Sequence, residues 1–393
     1  FKHLAVPDGA AEGDATELVF PALRVYRVRY GSRLEGVLRS GNDTFTGGDV
    51  AGAQVFTTGD NLDGAGGDDT LNIVSATAIA GVPTGATVTD IETITINSGA
   101  AVTFSTATGF SGLTSLTSQS VATNTLSAAA TTDITATGTL AADTSDVIVN
   151  GGKDVTVTVT GQTNAASANA SLYSVGATTA AAGNVVVNAT AAAGADTFIA
   201  GTIAVTGGTT ITVNSALSNT TVAEGNVQGA VSATGNASTT AVTVTQQSVA
   251  ASATAAGKTA GDVTIADAAS TSTTAAGTIT TATLTNYGDS TINSNALTTV
   301  NVSGASGTLG ITAGALTTAT VSTLALNTNG LAGTNAMTID ADYTTLNIDN
   351  STAASTIADI ITAGATAVNV SGDAAIPFTD QNLTNAALAI TVT

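Results

Sequence analysis

The chain has 393 residues, 43% hydrophobic but only 3% aromatic and without tryptophan, so it can bury a core, yet one of small side chains in thin layers. Its net charge of −20, from 28 acidic against 8 basic residues, disfavours nucleic-acid binding and favours divalent cations. Cysteine is absent, which excludes disulfides and thiolate metal sites, and no apolar run is long enough for a transmembrane segment.

Residues 1–39 stand apart from the rest. They hold the single histidine, His3, and every arginine (Arg24, Arg27, Arg29, Arg33 and Arg39). A boundary near residue 40 is expected, the preceding part being a tail or the end of another domain, or alternatively a basic attachment segment. No secretory signal pattern opens the chain, and a start at Phe1 suggests a processed or partial product.

Residues 40–74 are rich in glycine and aspartate. Gly-x-Asp-x-apolar phrases recur at Asp43 ("GNDTF"), Asp69 ("GDDTL") and Asp196 ("GADTF"), with a variant at Asp60 ("TGDNL"). Asp60 and Asp69 lie nine residues apart, as do Leu62 and Leu71. Nine is the length of the calcium-binding nonapeptide of RTX β-rolls, Gly-Gly-x-Gly-x-Asp-x-apolar-x. The stretch from Gly64 to Asn72 matches it except at Ala65. In this reading Gly64 and Gly67 allow the turn and turn carbonyls toward the ion, Asp69 supplies a hard anionic oxygen, and Leu71 points inward. Asp60 holds the equivalent place one turn earlier, and Asp63 and Asp68 add charge. The candidate Ca2+ ligands are thus Asp43, Asp60, Asp63, Gly64, Gly67, Asp68, Asp69 and Asp196. For Asp43 and Asp196 the competing reading is an Asx turn.

From residue 75 to 393 the chain becomes a series of Thr/Val alternations, such as "ETITINS" (92–98), "KDVTVTVTG" (153–161), "GTTITVNS" (208–215) and "LTTVNVSG" (297–304). A period of two in β-branched residues predicts strands with one buried face. Late phrases resemble one another at 296–304, 315–323, 342–350 and 364–372, and repeats at this scale mark stacked coils. The expected fold is all-β: an elongated right-handed parallel β-solenoid or β-roll with calcium-binding turns. Tandem β-sandwich domains are the alternative, although their thick cores call for larger side chains.

The passage from "TTGDNLDGAGGDDTLNI" to "VTDIETITINSGAAVTFSTATGFSGLTSLT" (88–117) resembles the RTX-containing surface-layer (S-layer) proteins of Gram-negative bacteria, typified by the Caulobacter protein. That resemblance implies secretion by a type I route, a location on the cell surface, calcium-dependent self-assembly into a layer and, among partners, lipopolysaccharide or another surface glycan. The carry-over falls on Asp60, Gly64, Gly67 and Asp69. An RTX-type adhesin or biofilm-matrix filament is the second reading. No enzyme is expected: no triad stands out, and the carboxylate pairs Asp340/Asp342 and Asp143/Asp146 read as solvated faces. Sequons such as those at Asn188 and Asn350 arise by chance in a Thr-rich chain and do not by themselves point to glycosylation.

Overall fold

The computed structural model describes residues 35–37, 41–50, 53–54, 56–140, 144–164, 171–193, 199–218, 225–249, 257–317, 320–333, 336–383 and 388–393. All regular elements among them are strands. Two long sheets face each other. One has 16 strands and the other 12, and successive strands of each are contributed by successive coils of the chain. A three-stranded sheet, Glu35–Val37, Asn61–Asp63 and Thr87–Thr89, forms the second wall of the first coils.

The Thr/Val alternations supply the long sheet, as in Thr93–Ser98, Val155–Asn164, Thr210–Leu217 and Thr299–Ser306. Every pairing in the two long sheets is parallel except that of the short strand Ala53–Gln54, which runs antiparallel along the outer edge of Thr44–Val50. The architecture is therefore a parallel β-solenoid. Tandem sandwiches are set aside, because they are built from antiparallel sheets.

Alternation decides which side chains enter the solenoid. In Thr93–Ser98 the burial alternates, with Ile94 and Ile96 inside. Stacking then aligns like with like: Leu71, Ile94, Leu116 and Ile134 are successive register partners, each at most 1% exposed. Each such side chain contributes about 2 kcal/mol by leaving water. The opposite wall stacks Phe104 on Leu126 and Leu126 on Val149. Asn350 shows how a buried polar side chain can be satisfied where a coil closes. Asn350 donates from Nδ2 to the carbonyls of Ala374 (3.1 Å) and Ala375 (2.9 Å), and its Oδ1 accepts from Thr328 Oγ1 (3.0 Å) and Ser355 Oγ (2.8 Å).

The length of a coil varies while the register holds. Leu116 is followed on the ladder by Ile134, whereas Val242 is followed by Ala282, more than twice as far along the chain. Extra residues leave the walls at their ends and return to the same ladder.

Candidate functional site

The Gly/Asp stretch forms the first coils of this stack. Thr44 pairs with Thr70, and Thr70 with Thr93. The residues just before them, Asp43, Asp69 and Glu92, consequently meet at one corner, a coil apart. Hydrogen bonds tie them into a staircase: Asp43 N donates to Asp69 Oδ1 (2.7 Å), and Asp69 N donates to Glu92 Oε2 (2.7 Å). Asp68 N donates to Asn42 Oδ1 (3.0 Å), fastening the same two turns.

Asp69 is fully buried, and its second oxygen, Oδ2, has no hydrogen-bond partner. Gly64 packs directly against it. A Cβ on Gly64 would collide with Asp69 Oδ2 and with the Asp90 carbonyl oxygen, and one on Gly67, whose φ is +141°, would strike the Gly41 carbonyl. The two glycines thus allow backbone and carboxylate to approach as no other residue would. Ala65, the one departure from the nonapeptide, adopts φ 63°, where an alanine is strained.

The other candidates are placed differently. Nine residues carry the chain from one wall to the other, so Asp60 lies just before Asn61–Asp63, away from the long sheet, its carbonyl accepting from Thr87 N (2.8 Å). Its buried carboxylate accepts from Thr57 N at Oδ2 (2.6 Å). Asp63 Oδ1 accepts from Ala65 N (2.9 Å), an Asx turn. Asp68 is exposed. Asp196, His3, Asp143 and the arginines of the first segment lie outside the described residues. Asp340 spends its carboxylate on Ala313 N (3.0 Å) and Asp342 N (3.1 Å). The sequon residue Asn350 is fully buried.

Glu92 lies outside the Gly-x-Asp pattern. The signal that finds it is acidic-Thr-apolar, shared by "DTF" at 43, "DTL" at 69 and "ETI" at 92.

Burial pushes the Asp69 carboxyl above its ordinary 3.8; the Asp43 N–H opposes this, and the charges of Glu92, Asp43 and Asp68 reinforce it. Burial likewise raises Asp43. These oxygens suit a hard cation in kind. Among the described residues no three His, Cys, Asp or Glu side chains converge into a metal cage, so an ion at this corner would draw on Asp69, its acidic neighbours and main-chain carbonyls such as that of Asp90.

No family model matches the chain, and no curated protein matches it.

A pH dependence follows from the raised carboxyls. Between 3.8 and the raised value the folded chain holds protons that the unfolded chain has released, so stability falls as pH rises through that window. Metal-free protein is expected to lose melting temperature as pH rises from 3.8 through that window, with a smaller loss in Asp69→Asn. An equal difference in the two proteins would remove Asp69 from the effect.

Proposed function

We propose that this chain is a structural protein of the cell exterior that self-assembles, with calcium, into a surface layer or other regular extracellular array. The observation that carries the reading is the acidic staircase at the head of the stack, where the buried Asp69 Oδ2 lacks a partner and Asp43 and Glu92 lie one coil away. At neutral pH such a corner favours a divalent cation over two buried carboxylates with a third beside them. Calcium bound there would hold the first coils together and reduce the self-repulsion of a chain of charge −20. Asp69, with Asp43 or Glu92 and turn carbonyls, would hold it. Secretion by a type I route and anchoring to lipopolysaccharide or another glycan belong to the same proposal.

Negative-stain microscopy of the purified chain, in calcium and then in chelator, tests it. The expected result is a two-dimensional lattice in calcium that disperses in chelator. Fibres would favour a matrix filament, and a monomer that captures a glycan would favour an adhesin. Assembly indifferent to chelation would end the calcium proposal.

A further inference from the structure

We propose that the outward face of the long sheet is a self-contact surface on which a second copy of this chain docks face to face. The inference rests on the self-assembly reading and names the surface that reading needs. Its basis is the register. Thr212, Thr243, Thr283, Asn301 and Asn327 are successive Cα partners, so their side chains form one column down the middle of the sheet. Upstream the same column is threonine in four consecutive strands, from Thr95 to Thr156, before Val186 joins it to Thr212.

Charge is excluded from this column until Asp349, although the chain carries 28 acidic residues. The two carboxylates that border it, Asp133 and Asp154, share Lys153, whose Nζ lies 3.8 Å and 3.7 Å from them. Like copies of so acidic a chain repel one another where carboxylates are exposed, and over ten strands this column presents none.

The face is also already ordered. Threonine is stiff at χ1, and the asparagines are fixed by their neighbours: Asn327 Nδ2 donates to Asn301 Oδ1 (2.8 Å), Asn301 Nδ2 to Thr283 Oγ1 (3.0 Å), and Asn214 Nδ2 to Asn188 Oδ1 (2.8 Å). Docking therefore immobilises little that was free. Ten strands spaced about 4.8 Å apart, each presenting about five residues, span roughly 48 Å by 17 Å. That is about 800 Å2 per copy, the share each partner gives to a stable complex. No aromatic side chain interrupts the column, so the face lacks the stacking platform that a sugar ring would use.

A two-fold axis through the face opposes each residue near its centre to a residue of like position in the second copy. Thr212→Lys/Thr243→Lys then sets like charges against each other, and Thr243→Val keeps shape and neutrality. In sedimentation equilibrium in chelator, where the lattice is dispersed, the parent and Thr243→Val are expected to be dimers, because the face holds no calcium ligand. The double lysine variant is expected to dimerise on the order of a hundredfold more weakly while remaining folded. A lysine variant that dimerises as the parent does, or a parent that is monomeric throughout, overturns the proposal. So does a monomeric parent that binds chitin or cellulose powder and loses that binding in the lysine variant, which gives the face to a glycan. A lattice that still forms from the lysine variant overturns this face but leaves self-assembly intact. Dimers without any lattice in calcium support the face and count against the array.

Discussion

Asp69→Asn is expected to abolish the calcium-dependent rise in melting temperature while leaving the metal-free protein no less stable than the parent. The two halves of this result have one origin. In the absence of an ion the Asp69 carboxylate is fully buried, with one oxygen partnered by Asp43 N and the other by nothing, beside two further carboxylates. Asparagine keeps an acceptor for Asp43 N and removes the charge, so the metal-free chain loses a liability. With calcium present the balance inverts, since a ligand that binds only the folded state at about a hundred times its Kd stabilises it by about 2.7 kcal/mol. Only the parent would collect that increment. Asp146→Asn is the contrast: Asp146 Oδ1 accepts from Leu172 N (2.8 Å) in the next coil, so the variant should lose some stability and retain its calcium response. Thermal melts across a calcium titration read both. A calcium response in Asp69→Asn equal to the parent's would place the ion elsewhere.

The second large effect is expected at Val213→Asp. Val213 is fully buried, and its register partners are Val187 and Val244, so a carboxylate there meets only aliphatic neighbours along the ladder. An unpaired buried charge costs several kcal/mol, and a loss above about 4 kcal/mol is expected. The damage should be local, because each coil of a stack rests on its two neighbours alone. Limited proteolysis should open the coils around 185–246 and leave folded blocks on either side. Thr264→Asp, at an exposed position of the other wall, should change stability by no more than about 0.5 kcal/mol. Uniform digestion of Val213→Asp would show a stack that melts as one unit.

The strands were legible in the sequence because the period of two is local: "TVTVT" needs no partner to announce which residues point inward, and Val155–Asn164 contains it. That coils stack was legible in the late repeats, but which strand stacks on which was not, since it depends on how many residues leave the wall between strands. "ALTTATVST" (315–323) looks like "ALTTVNVSG" (296–304), yet the strand that stacks on Thr299–Ser306 is Thr323–Ala332, with Val300 beside Leu326. The candidate site divides in the same way. A nine-residue spacing along the chain points to Asp69 and explains Gly64, but residues nine apart sit on different walls. What reaches Asp69 comes from a coil away, Asp43 from 26 residues before it and Glu92 from 23 after it. Glycine geometry is written in the sequence, whereas neighbourhood across coils is written in the register.

The unequal coils carry one more consequence. Because the short coil from Leu116 to Ile134 and the long one from Val242 to Ala282 close on the same ladder, the walls constrain only the strands, and the segments between them are free to lengthen at the small entropic cost of a longer loop. Growth of such a molecule is thus of two separable kinds. Adding a coil extends the rod and its flat faces, while enlarging a loop decorates the margin without moving any face. A surface assembled from such rods can alter what its margins display and still keep the contacts that hold it together.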